Sequence, residues 1–129
     1  MNTKIVMTAS SLIMGLTGMM LSFIPLEILS YLGVESSKPQ LFLLQILGAL
    51  YFGFAMLNWM NKSSLIGGIY NRPVAIANFS HFLIACLALI KGVVANPELP
   101  GALSIAAGIY LIFAVSFGII LFRHPVNQH

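Results

Sequence analysis

The chain has 129 residues, of which 59% are hydrophobic and only 7% charged, with a formal net charge of +3. A soluble domain carries about 25% charged residues because its surface must be hydrated, so this chain cannot cover itself with polar side chains and lipid is its expected solvent. The small positive surplus is too scattered to neutralise a run of phosphates, which excludes nucleic acid as a partner. The lone cysteine, Cys86, excludes an intramolecular disulfide and a thiolate metal cage.

A bilayer core of about 30 Å needs roughly 20 apolar residues per helix, and four stretches qualify, at about 5–24, 41–60, 74–94 and 101–122. All six prolines (Pro25, Pro39, Pro73, Pro97, Pro100 and Pro125) fall at or outside their ends, as they must if these are uninterrupted helices. The expected fold is all-α: a single domain over 1–129, a four-transmembrane-helix bundle with a short interfacial helix after the first span.

The first span follows Lys4, but its apolar run is too long for a signal peptide and no small-residue cleavage pattern follows it. It holds two pairs of small residues one helical turn apart, Ser11/Gly15 and Gly18/Ser22, the pattern by which helices approach closely in lipid. In the next stretch, "IPLEILSYLGVE", Pro25 can start a short helix with Glu27 in its first turn, and Gly33 can end it. Its apolar side, Leu26, Ile28, Leu29 and Leu32, suits the outer membrane interface, with Tyr31 at headgroup depth.

The second span places Gln45, Gly48, Phe52, Ala55 and Asn58 on one face, with Trp59 at the inner interface. In the loop that follows, Asn61 and Asn71 read as turn residues and Gly67-Gly68 as a flexible turn. Tyr70 marks the inner interface, and Arg72 is a boundary anchor that snorkels to headgroups. Pro73 suits the first turn of the third span, where its missing N–H is harmless; that span carries Asn78, His81 and Ala85 on one face. "GVVANPELP" is a tight external turn, and the fourth span has the small pairs Ser104/Gly108 and Ala114/Gly118. His124 and His129 fall in an exposed tail.

Four spans put the N-terminus, the 61–73 loop and the C-terminus on one side, with Lys4, Lys62, Arg72 and Arg123. Lys38, Lys91 and all three glutamates lie on the other. By the positive-inside rule both termini are cytoplasmic.

His81 lies about eight residues, or ~12 Å, beyond Pro73 at the rise of an α-helix, close to the midplane. Tyr51 and Tyr110 enter their spans to a similar depth, with Asn78 one turn from His81. A polar group there is costly unless partnered or functional, and two readings stay open. In one, Tyr51, Asn78, His81 and Tyr110 line a ligand pocket for a small apolar molecule with a polar head, such as a quinone, a sterol-like lipid or an acyl chain. In the other, a neutral His81 bonds Tyr51, Tyr110 or a backbone carbonyl and fixes helix register.

No catalytic residue, metal site or cofactor is indicated. No Asp or Glu lies in a span, and no Ser-His-Asp set, HExxH or phosphate-binding glycine loop occurs. A bis-His haem needs two intramembrane histidines; sharing one haem between two copies of His81 is the single such arrangement left open.

Three stretches, "FIPLEILSYLG", "LGALYFGFAMLNW" and "GGIYNRPVAIANFSHF", give the chain a pattern that resembles the DoxX-like group of small four-helix membrane proteins. Some members of that group are accessory subunits of membrane oxidoreductases, and a similar eukaryotic set scaffolds lipid-synthesis enzymes. The resemblance implies an accessory role and transfers no site residue. The expected function is thus a non-enzymatic accessory or scaffold subunit in a bacterial plasma membrane, surrounded by membrane lipids and meeting another membrane protein or a second copy of itself. The alternatives are a lipid- or quinone-binding module and a small homo-oligomeric transporter or channel.

Overall fold

A computed structural model describes residues 2–125, and within them the chain is all-helical apart from one isolated bridge in a loop. The helices are α1 (Thr3–Phe23), α2 (Pro25–Tyr31), α3 (Lys38–Asn61), α4 (Arg72–Ala95) and α5 (Gly101–Phe122). Four of them, all but α2, are long and apolar enough to cross a membrane. Their outward side chains match that reading: Phe23, Met60 and Phe122 are 81%, 76% and 80% exposed, an inversion of what water tolerates. The chain divides into two compact units, one of residues 7–62 and the other of the residues before Met7 and those from Ser63 on.

In the first unit, Pro25 separates α1 from α2. It has no N–H to continue the α1 ladder and it disfavours helical backbone at the preceding residue, and Ile24 accordingly sits at φ −129°, ψ 46°. α2 ends in a Schellman motif: Gly33, at φ +72°, donates to the carbonyl of Ser30 at 3.1 Å, and Val34 donates to that of Leu29 at 3.0 Å. α3 then starts three residues before the apolar run does, because Ser37 and Gln40 form a capping box. The Ser37 N–H donates to Oε1 of Gln40 at 3.0 Å, while the Gln40 N–H donates to Oγ of Ser37 at 3.4 Å.

α1 and α3 pack antiparallel through their small residues. A Cβ on Gly18 would stand 2.7 Å from the carbonyl oxygen of Gly48, and one on Gly48 would stand 2.7 Å from that of Gly18 and collide with Ser22. One turn away Gly15 faces the methyl of Ala55. Further along the same seam Asn58, fully buried, donates from Nδ2 to Oγ of Ser10 at 3.0 Å. Both small pairs of the first span and the Gly48/Ala55/Asn58 part of the second span's face are therefore in use; Gln45 and Phe52 of that face are exposed.

In the second unit α4 and α5 form a hairpin closed by the 96–100 turn. Its core sets aromatic rings among small residues. Phe82 of α4 is fully buried and stacks on Phe113 and Phe117 of α5, at centroid distances of 4.9 and 5.6 Å. Gly118 gives room to the ring of Phe79, and Sγ of Cys86 donates to the carbonyl of Ala107 at 3.7 Å. Cys86 is a buried packing residue.

Gly48→Ala is expected to lower stability by about 1–3 kcal/mol through overpacking. Gly53→Ala, where no neighbouring atom among the described residues lies within 4 Å, is expected to be neutral or to stabilise by up to about 1 kcal/mol. Thermal unfolding of both variants in one detergent checks the contrast; equal effects would contradict close backbone contact at Gly48.

Candidate functional site

The polar stretch from Gly67 to His81 spans a loop and the first half of α4. The loop is a hydrogen-bonded turn. Gly67 and Tyr70 exchange two backbone hydrogen bonds of 2.9 Å each, which closes a turn with Gly68 and Ile69 at its centre. Gly68 takes φ +57°, a conformation that favours glycine at the first central position of such a turn. Asn71 is left-handed, at φ +46°, and its Nδ2 donates to the carbonyl of Leu65 at 2.7 Å. Asn61, expected in a turn, is instead the last residue of α3 and donates to the carbonyl of Leu57. At the same helix end Nζ of Lys62 sits 3.1 Å above the ring of Trp59, a cation–π contact.

Along α4 the buried positions are Ala75, Asn78, Phe82 and Cys86, a stripe of helical spacing. His81 lies on its flank, half-buried, and the stripe's centre is Phe82. The His81 ring meets Phe82 edge-on at 5.1 Å between centroids and meets the Tyr110 ring at 5.8 Å. Phe82 and Tyr110 also touch edge-on at 5.2 Å. The α4–α5 hairpin thus brings His81 and Tyr110 together, and it does so through Phe82. Asn78 lies one turn along, fully buried, with Nδ2 donating to the carbonyl of Val74 at 2.9 Å. Tyr51 belongs to α3 and to the other unit.

This His81–Phe82–Tyr110 cluster offers an imidazole and a phenol beside apolar ring surface. That is the chemistry of a hydrogen-bonding seat for a polar head on an apolar molecule. It is equally the chemistry of a rigid aromatic core, since edge-on and offset rings contribute about 0.5–1.5 kcal/mol per pair beyond their buried area. Among the described residues no three His, Cys, Asp or Glu side chains are grouped to hold a metal ion. His124 is exposed beside the Gly68 turn, and His129 lies outside the described residues.

The sequence reading included Tyr110 but missed Phe82, Phe113 and Phe117. The one signal was the recurrence of Tyr110, Phe113 and Phe117 at three- and four-residue spacing along one face of α5, which marks an aromatic stripe but not its partner. No protein-family model matches this chain, and no curated protein or solved structure matches it.

Phe82→Ala is expected to cost about 3–5 kcal/mol, the range for emptying a buried aromatic site. His81→Ala, at the edge of the same cluster, is expected to cost much less. Chemical or thermal unfolding in detergent would rank them, and a larger loss for His81→Ala would make His81 the residue that organises the cluster.

Proposed function

We propose that the chain is a multi-pass protein of a bacterial plasma membrane with both termini cytoplasmic. In this proposal it is a non-enzymatic accessory or scaffold subunit that meets another membrane protein, or a second copy of itself, through α5. The positive-inside distribution of Lys4, Lys62, Arg72 and Arg123 supports the orientation. The exposed Phe23, Leu26 and Tyr31 beside and along α2 support a seat for that helix in the outer interface. The resemblance to the DoxX-like group points toward the same accessory role.

The observation that carries the reading is a difference among the small-residue pairs. Ser11/Gly15, Gly18/Ser22 and Ala114/Gly118 all lie against or beside their own chain's helices. Ser104 and Gly108 do not: both are exposed, and among the described residues no neighbouring atom lies within 4 Å of where a Gly108 Cβ would stand. Ile105, Ile112 and Val115 flank them, also exposed. In lipid an apolar face gains little by meeting another apolar face, so association depends on close backbone approach at small residues, and here such a place is open.

Native mass spectrometry after mild extraction from the protein's own membrane tests this. The chain is expected to arrive with a partner protein or a second copy, and Gly108→Leu is expected to abolish that association. The exposed substitution should change stability by no more than about 0.5 kcal/mol. A bare protomer, or a complex indifferent to Gly108→Leu, would overturn the reading.

The contact between the rings of His81 and Tyr110 favours a second reading, a lipid- or quinone-binding module in which Asn78 also lines the seat. Under it, the same spectra should show a stoichiometric small-molecule adduct that His81→Ala removes. An adduct that survives His81→Ala would count against it.

A further inference from the structure

The turn at 67–70 is docked on the end of α5. A Cβ on Gly67 would stand 2.8 Å from the carbonyl oxygens of both Ile120 and Arg123, and one on Gly68 would stand 2.7 Å from Nδ1 of His124. Ile66, only 3% exposed, anchors the approach. Because Arg72 follows Asn71 directly and the Arg123 carbonyl faces Gly67, the backbone seats Arg72, Arg123 and His124 at one end of the α4–α5 hairpin. All three are exposed. The unit's only acidic residue, Glu98, lies in the 96–100 turn at the hairpin's other end. Asn71 gives its side-chain amide to Leu65, and its carbonyl accepts from the N–H groups of Val74 at 3.0 Å and Ala75 at 3.3 Å. Pro73 has no N–H to offer, so the positive charge at this end is that of the side chains. Beside these charges stand bare apolar groups: Ile69 is 74% exposed, Tyr70 48% and Phe122 80%.

We propose that this turn-and-tail end of the hairpin binds the phosphodiester headgroup of an anionic membrane lipid. Arg72 and Arg123 engage the phosphate, and Ile69, Tyr70 and Phe122 sit against the glycerol and upper acyl region. A guanidinium is suited to phosphate by its planar fork of donors. The apolar rim selects the source, since a free phosphate ester would gain nothing from exposed isoleucine and phenylalanine whereas an amphiphile would. The inference rests on the membrane reading above and is independent of the α5 contact with a partner.

The test uses the full chain in nanodiscs of equimolar phosphatidylglycerol and phosphatidylcholine, with retained lipid counted by native mass spectrometry. Phosphatidylglycerol is expected to be retained preferentially. The double variant Arg72→Gln/Arg123→Gln is expected to reduce that preference by roughly 30-fold, the combined effect of two basic residues at an anionic surface. Gly67→Val, which pushes the turn off α5 without removing a charge, is expected to weaken it as well, whereas Lys91→Gln at the far end is not. Equal retention of the two lipids, or a preference that survives the double variant, would overturn the proposal. So would displacement by millimolar glycerol phosphate, since the ligand would then be a soluble phosphate ester. Failure to enter nanodiscs at all would instead overturn the membrane reading.

Discussion

Helices whose outer faces are as apolar as their inner ones gain almost nothing by exchanging lipid for each other. What remains to hold them is shape, and the structure meets that constraint in two ways. Between α1 and α3 the means is removal of side chains: glycine faces glycine, each main chain lies where the other's Cβ would be, and a buried Asn58–Ser10 hydrogen bond fixes the register. Between α4 and α5 the means is the reverse, an interlocked set of rings around Phe82 with Gly118 making room for Phe79. Either arrangement is intolerant of small changes in volume, because densely packed contact is its main source of attraction.

The same scarcity of polar groups explains the loops. With 7% of residues charged, the connections cannot rely on solvation and are instead tied by backbone and short side-chain bonds. α2 is closed by a Schellman motif, α3 is opened by a reciprocal cap, and the 67–70 turn is closed by its own paired bonds and braced by Asn71. Prolines mark the breaks: Pro25 divides α1 from α2, and Pro73 sits in the first turn of α4. The charges that do exist gather at helix ends, where Lys62 lies over Trp59 and where Arg72 and Arg123 share one end of a hairpin. Two kinds of place are thereby left distinctive: a helix face where the main chain is bare, and a loop where charge and exposed apolar groups coincide.

His81 drew attention as an isolated polar residue at mid-helix, and its depth could be counted from Pro73. Counting put Tyr110 level with it but left out Phe82. The residue that binds the cluster together is the phenylalanine beside it in sequence, one of nine in the chain, and nothing local distinguishes Phe82 from the others. Whether a given ring is core or lipid-facing depends on which way its helix is rotated, and in a helix apolar on every side the hydrophobic pattern carries no such information.

The sequence by itself determined the all-α class, the four long apolar helices to within a few residues, the short helix at Pro25, and the small residues through which the first two of the long helices meet. These follow from length, hydropathy and the positions of proline and glycine, which are properties of single segments. The tertiary structure alone decided that Ser104/Gly108 stays open while Ser11/Gly15, Gly18/Ser22 and Ala114/Gly118 are used. It also decided that Phe82 rather than His81 centres the α4 stripe, and that the double glycine is a docking surface for the end of α5. Each of these depends on helix rotation and on contacts between residues tens of positions apart, which segment-by-segment periodicity cannot encode.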